Sequence, residues 1–197
     1  MSTDKPWRRA LDISPSDVAA YRRMRPAPPP GVLPEKAGTN EESVWDYPRP
    51  PEIRKAPAIA EVRFGGQAIA KSSAALRVCE TAGAPVYYFP PIDVREDCLI
   101  EVGDVSVCEW KGAAVHFDVV VDGKRAAKAA FSYPDPFDDL GRGFQRIAGW
   151  YGFYPACVDA CILGQEIVRS QEGGFYAGWV TDAIRGPIKG AAGSGGW

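Results

Sequence analysis

Short apolar runs that alternate with polar residues dominate most of the chain, and turn residues separate them. Residues 60–64 alternate apolar and charged side chains, Gly65-Gly66 interrupts the run, and residues 67–72 resume it. Period-two alternation on both sides of a two-residue glycine turn is typical of a β-hairpin. The same pattern predicts a second hairpin around Asp122-Gly123 and a third around Gly164-Gln165.

Three further apolar runs, bounded by glycine and proline, extend this pattern. They predict strands over residues 75–81, 86–89 and 98–102. Only residues 136–150 and the segment after Thr181 have sequences that suit short helices. The sequence therefore predicts a mainly β, antiparallel domain of about eight strands with few short helices.

The N-terminal part of the chain differs in composition from the rest. Residues 1–42 are polar and rich in proline, so we interpret them as an arm preceding one β domain over residues 43–190 and a Gly-rich, loosely held tail over 191–197. Within the arm, Ser14 as N-cap and Pro15 at the first helical position predict a short helix over residues 15–24. Val18 and Tyr21 would pack this helix on the domain or on a second subunit, which leaves open a homo-oligomer formed through the arm.

Composition and charge exclude several classes of partner. A chain of 197 residues with 46% hydrophobic residues can form one compact core, and a net charge of -2 gives no general attraction to nucleic acid or to an anionic membrane. No apolar run reaches the ~20 residues of a membrane helix, and no signal peptide is evident. We expect a soluble, cytoplasmic protein whose five cysteines are free and mostly buried.

One stretch, residues 106–124, places a thiol, a carboxylate, an indole and an ammonium in succession before an apolar run. A bulge or bend at Gly112 would reset the alternation of the strand, because glycine adopts the required backbone at little steric cost. Cys108 and Trp110 would then join the core. The opposite face would carry the best polar constellation of the chain: Glu109, Lys111, His116 and Asp118.

Two readings of this face remain open. Glu109, Lys111 and His116 could serve as catalytic acid–base groups or anchor a ligand, because opposite charges held close together shift each other's pKa. Alternatively, the face is solvated and carries cross-strand ion pairs. Cys108 is a poor candidate for a nucleophile because the pattern places it in the core.

The strand over residues 75–81 provides a second polar candidate. Leu76, Val78 and Glu80 share one face, so Glu80 ends an apolar row, whereas Arg77 points to the other side. Glu80 either pairs with a cation or lies at an exposed strand end.

Aromatic residues beside glycines suggest either core packing or an aromatic-walled ligand cleft. In the second case, we expect six residues to contact the ligand: Arg77, Glu80, Tyr88, Trp110, Tyr176 and Trp179.

Several familiar sites are absent from the sequence. It has no Cys-x-x-Cys pair, no Gly-rich phosphate loop that opens a helix and no nucleophile elbow around a serine. We therefore expect neither a metal nor a cofactor.

Seven segments in fixed order resemble a known family: ESVWDYPRPP, VRFGGQAIAKSSAALRVCET, VYYFPPIDV, CEWKGAA, AAFSYPDP, FYPACVDACILGQEIV and GGFYAGWVTDAIRGPIKG. They are similar to the family named domain of unknown function 427, over residues 42–190. The resemblance implies a β-tent, Mss4-like fold in which β-sheets lean together around a cleft. Relatives of that fold commonly hold zinc with two Cys-x-x-Cys knuckles, which this chain lacks. The family is also labelled nucleotidyltransferase, but Asp138-Asp139 alone does not provide the paired metal-binding motif of that activity.

These observations favour a small-molecule binding domain with an aromatic-walled polar cleft. The alternatives are an enzyme that uses Glu109 and Lys111 as an acid–base pair, and a structural or oligomerisation module.

Overall fold

The computed structural model describes residues 15–23, 27–28 and 30–194. Within these residues, an α-helix, α1 (Pro15–Arg23), precedes the strands. The strands are β1 (Glu42–Ser43), β2 (Glu52–Lys55), β3 (Ala60–Phe64), β4 (Gln67–Ser72), β5 (Leu76–Cys79), β6 (Val86–Phe89), β7 (Leu99–Cys108), β8 (Gly112–Val121), β9 (Lys124–Ser132), β10 (Tyr151–Phe153), β11 (Ala160–Leu163), β12 (Glu166–Ile167), β13 (Arg169–Ser170), β14 (Trp179–Val180) and β15 (Ile184–Arg185). The predicted mainly β class is confirmed. More strands form than the eight expected, because several two-residue pairings carry no apolar pattern of their own.

Two antiparallel sheets build the domain. The larger has seven strands in the order β2-β5-β6-β10-β9-β8-β7, and the smaller has four in the order β12-β11-β3-β4. Two strand pairs, β13 with β14 and β1 with β15, complete the pairing, and only the second is parallel. In the described ranges, none of the sheets closes into a barrel.

All three predicted hairpins are confirmed. They join β3 to β4, β8 to β9 and β11 to β12. In the second hairpin, Asp122 and Gly123 both have positive φ, at 48° and 80°. That geometry gives the turn the right-handed twist of its strands, and it explains the Asp-Gly sequence.

The predicted N-terminal helix is confirmed from Pro15 to Arg23, while its proposed cap Ser14 lies outside the described residues. A 3₁₀ helix, Phe144–Ile147, lies within the segment where short helices were predicted. The prediction of a helix after Thr181 is wrong, because β15 pairs there with β1. β1 crosses the predicted boundary between residues 42 and 43, and the domain limits stay predictions.

Strand alternation in the large sheet creates two separate apolar layers. On β6, Tyr87 and Phe89 face the four-stranded sheet and join the main core, which includes Val62 and Ile69. Tyr88 faces the opposite side and joins a second cluster with Phe131, Phe144 and Ile147, among others. The second face is only partly filled by this cluster, and it forms the floor of a cavity.

Within residues 106–124, the chain reverses direction at residues 109–111 and does not continue as the single bent strand that was predicted. β7 ends at Cys108, β8 begins at Gly112, and these two residues pair across the hairpin. Gly112 has a φ of 83°, which suits the left-handed position that ends a three-residue hairpin loop. Cys108 therefore shares the cavity face with Ala114 and does not join the main core.

Candidate functional site

A cavity of about 610 Å³ lies on the second face of the seven-stranded sheet. Its floor includes Val78 of β5, Tyr88 of β6 and Phe131 and Tyr133 of β9. These side chains share the cavity because each alternates with residues that face away from it. Strand alternation thus places aromatic rings from non-adjacent parts of the sequence around one space.

The floor depends on a close approach between two strands. Phe131 of β9 pairs with Gly152 of β10, and a Cβ atom at Gly152 would overlap the Phe131 ring. Only a residue without a side chain lets the ring lie flat against the neighbouring backbone.

Charged groups line one side of this cavity. Glu80 Oε1 accepts from Arg49 Nη1 at 3.0 Å and from Lys189 Nζ at 3.5 Å. Arg49 Nη2 also lies 3.5 Å from Glu109 Oε1. Burial raises the pKa of Glu80, but the cations Lys189, Lys111 and Arg49 outweigh burial and hold that pKa below its ordinary value. Glu80 is therefore an ionised carboxylate at neutral pH.

Lys111 occupies the hairpin loop between β7 and β8, and its side chain lines the cavity. The residue is only 7% exposed. Its Nζ donates to Cys108 Sγ at 3.3 Å and lies 5.3 Å from the centre of the Tyr133 ring. Burial opposes the charged form, but Cys108, Tyr133, Tyr88 and Glu80 raise the pKa of Lys111 well above its usual value. The side chain is thus a buried ammonium.

Trp110 supports the charged side of the cavity from behind. The indole is 2% exposed and belongs to the second apolar cluster. The Arg49 guanidinium lies 4.9 Å from its ring centre, and the Arg22 guanidinium lies 5.6 Å from it. These cation–π contacts fix the arginine that reaches Glu80.

Helix α1 covers the mouth of the cavity through Val18 and Tyr21. Arg49 Nη2 donates to the Tyr21 carbonyl at 3.1 Å, and Arg22 Nε donates to the Glu109 carbonyl at 2.7 Å. Val18 and Tyr21, the two residues predicted to dock the helix, therefore line a cavity that the same chain forms.

A comparison with protein-family models matches residues 52–164 to the family described as domain of unknown function (DUF427). This segment is more than half of the 197-residue chain. The chain belongs to this family. A comparison with curated proteins finds no match. The matched DUF427 segment contains Glu80, Glu109 and Lys111, whereas Arg49 and Lys189 lie outside it.

Five of the nine predicted site residues line the cavity of this DUF427 protein: Glu80, Tyr88, Glu109, Lys111 and Tyr176. Trp110 lies behind the lining, as described above. In the described part of the chain, no group of three or more His, Cys, Asp or Glu residues could hold a metal ion.

Two residues predicted to bind a ligand lie elsewhere. Arg77 points to the other side of β5, where its Nη1 pairs with Glu42 Oε1 at 2.8 Å. Trp179 is fully buried in the main core, and its ring stacks on Tyr87 with centres 4.6 Å apart. Neither residue lines this cavity, because charge and aromaticity alone do not define the face that a side chain occupies.

His116 lies on the cavity face of β8 but is not part of the lining. Its Nε2 is 2.9 Å from the hydroxyl of Ser106, which does line the cavity. Burial lowers the pKa of His116 despite the opposing effect of Asp104, so the imidazole is neutral at neutral pH. The predicted cluster thus divides, because Asp118 instead accepts from Arg125 Nε at 2.6 Å and from the Lys128 amide at 2.7 Å.

Several cavity residues were missed by sequence reasoning, among them Arg49, Cys108, Tyr133 and Lys189. Tyr133 could have been found from the strand alternation that places Phe131. Arg49 and Lys189 lie in irregular segments, far in sequence from Glu80, and no local pattern indicates that they converge on it.

Proposed function

We propose that this DUF427 protein binds a small organic ligand in the cavity between the seven-stranded sheet and α1. The observation that carries the proposal is the cavity itself, about 610 Å³ in volume and lined by five tyrosines together with charged side chains, of which Lys111 is buried. Ligand sites are typically clefts of ~300–1,000 Å³ with mostly apolar walls and a few polar groups that fix orientation.

The aromatic and the charged lining residues would contact different parts of the ligand. The rings of Tyr88, Phe131 and Tyr133 offer flat apolar surface for the body of a ligand. The side with Glu80 and Lys111 offers charged hydrogen-bonding groups that would orient its polar end. Helix α1, through Val18 and Tyr21, would reduce the access of water.

Binding can be tested with the protein incubated in a small-molecule extract, separated by gel filtration and measured by mass spectrometry. A blocked variant, Val86→Trp, places a large ring on the cavity wall, and Val32→Trp changes an exposed residue outside the cavity. We expect at least one compound to be retained by the wild type and by Val32→Trp, and lost from Val86→Trp. Identical retained sets for all three proteins would contradict the proposal.

A second candidate function is acid–base catalysis on the bound molecule. It is favoured by one observation: Glu109 and Lys111 both line the cavity. Glu109 would accept a proton, and the Lys111 ammonium would donate one or stabilise a developing negative charge. Conversion of a retained compound that stops in Glu109→Gln would support this function, and the recovery of unchanged compound from the wild type would count against it.

Three finer expectations accompany the proposal. The five free cysteines support a reducing, cytoplasmic location. We also expect a β-tent topology, which an experimental structure would test, and a homo-oligomer formed through the N-terminal arm, which solution scattering would test. No helix in the described residues is long and apolar enough to cross a membrane.

A further inference from the structure

The charges around the cavity do not balance. Among the described lining residues, three are cationic and two are carboxylates, which leaves one positive charge in excess: Arg49, Lys111 and Lys189 against Glu80 and Glu109. Arg49 and Lys189 both form salt bridges to Glu80, and Arg49 also reaches Glu109. The excess charge is therefore located on the remaining cation.

Lys111 is that cation. Within the ranges that the structure describes, its ammonium forms one hydrogen bond, to the thiol of Cys108, and no salt bridge. A lysine that is 7% exposed has lost most of its water, and a single hydrogen bond to sulfur leaves two of its three N–H groups without an acceptor among the described residues. A buried charge of this kind is stabilised when an opposite charge enters the site.

We propose that the ligand of this cavity is an anion, with a carboxylate or phosphate group that binds Lys111 Nζ and an aromatic or apolar body that packs on the tyrosines. This inference rests on the proposed binding function and adds the chemical class of the ligand. Lys111 supplies the charge, and the ring of Tyr133, 5.3 Å from Nζ, borders the place where the anion meets the apolar body.

The two carboxylates of the cavity determine which of its cations are available to pair with an anionic ligand. Glu80 is shared between Arg49 and Lys189, so both of these cations are partly neutralised. Removing the Glu80 charge would free them and raise the positive potential of the cavity. The inference thus predicts opposite effects for two neighbouring substitutions, with Lys111→Met weakening and Glu80→Gln strengthening the binding of an anion.

The test uses four probes that differ in charge on the same ring: phenylacetate, phenyl phosphate, phenylacetamide and 2-phenylethylamine. Amide chemical shifts of Gly83, Ala84 and Ala177, which line the cavity, report both the affinity and the location of each probe. We expect the two anions to bind about tenfold more tightly than the amide and the amine. Lys111→Met should remove this preference without changing the affinity for the amide, and exposed Lys124→Met serves as the matched control.

The possible results distinguish a failure of the anionic-ligand proposal from a failure of cavity binding itself. Equal affinity for anion and amide, or an anion preference that survives Lys111→Met, would overturn the anionic ligand and leave cavity binding intact. If no probe shifts any cavity amide, both proposals fail in this assay. Glu80→Gln tests the charge argument independently of Lys111→Met: tighter anion binding supports it, and unchanged or weaker anion binding overturns it. The relative affinities of the two anions then distinguish a carboxylate from a phosphate ligand.

Discussion

Arg22 of α1 and Asp139 form a salt bridge with two parallel hydrogen bonds, Nη1–Oδ2 at 2.6 Å and Nη2–Oδ1 at 3.1 Å. The same guanidinium donates through Nε to the carbonyl of Glu109, two residues before Lys111. One side chain therefore connects the helix over the cavity to the loop that carries the buried ammonium. A nine-residue helix is unstable alone in water, so its order depends on such contacts.

We predict that Arg22→Ala releases α1 while the β domain stays folded. Because the lost pair is partly exposed, the free energy of unfolding should change by less than ~1 kcal/mol. Hydrogen exchange of the α1 amides should become much faster, and a bound probe should dissociate more rapidly. Arg23→Ala, at the exposed neighbouring position, is the control. Unchanged exchange in Arg22→Ala would show that other contacts hold the helix.

The half-buried carboxylate of Glu80 should make stability depend on pH in the acid range. Its pKa is lower in the folded protein than the ordinary 4.5, so its contribution is complete above that pH and is lost as pH falls through the folded pKa. We predict that Glu80→Gln costs ~2 kcal/mol or more at pH 7, because Arg49 and Lys189 lose their partner.

Urea unfolding from pH 7 to pH 3 measures both effects of Glu80→Gln. The wild type should lose more stability than the variant over the acid part of the range. Glu172→Gln, at an exposed loop position, should follow the wild type. Parallel curves for Glu80→Gln and the wild type would contradict the assignment of Glu80 as a stabilising carboxylate.

The packing of Phe131 on Gly152 gives a third prediction. A methyl group at position 152 overlaps the ring, so Gly152→Ala should lower the free energy of unfolding by ~1–3 kcal/mol and displace Phe131 into the cavity. Gly103→Ala is a matched control, since a Cβ there meets no atom within 4 Å. Thermal unfolding and probe binding measure the two effects. Equal stability of both variants would show that the strands adjust without strain.

His116 is the only histidine of the chain, so its titration can be followed without assignment. Burial lowers the pKa of the imidazole below the ordinary 6.5 in the folded state, and stability should therefore fall as pH decreases below 6.5. We predict an NMR titration midpoint of the ring protons below that value in the native protein and near it in urea. A native midpoint at or above the urea value would mean that the ring is solvated or paired with an anion.

Local sequence patterns predicted the hairpins because a turn and its flanking strands are adjacent in the chain. The type of turn at Asp122-Gly123 and the faces of Leu76, Val78 and Glu80 follow from such local rules. The sequence analysis predicted a bulge or bend at Gly112, whereas the chain reverses there. Both predictions suit a glycine, because positive φ occurs in β-bulges and in hairpin loops. That interpretation placed Glu109 and Lys111 on one strand face with His116, whereas both residues lie in the loop between β7 and β8.

The charged side of the cavity could not be predicted, since it depends on contacts between distant segments. Glu80 pairs with Lys189, 109 residues later in the chain. Arg77 was predicted to bind the ligand because it lies in a recognisable strand, but its side chain points away from the cavity. Arg49, which lines the cavity, lies in an irregular segment. Trp179 was similarly chosen for its neighbouring glycines, although it fills the main core.

The central claim is that the cavity holds an anionic ligand at Lys111, and a crystal structure of the protein with phenyl phosphate tests it most directly. We predict a phosphate oxygen within hydrogen-bonding distance of Lys111 Nζ, ~2.7–3.2 Å, with the phenyl ring against Tyr88 and Tyr133. A cavity that contains only water while the probe lies outside it, or a bound ring whose phosphate points away from Lys111, would contradict the account.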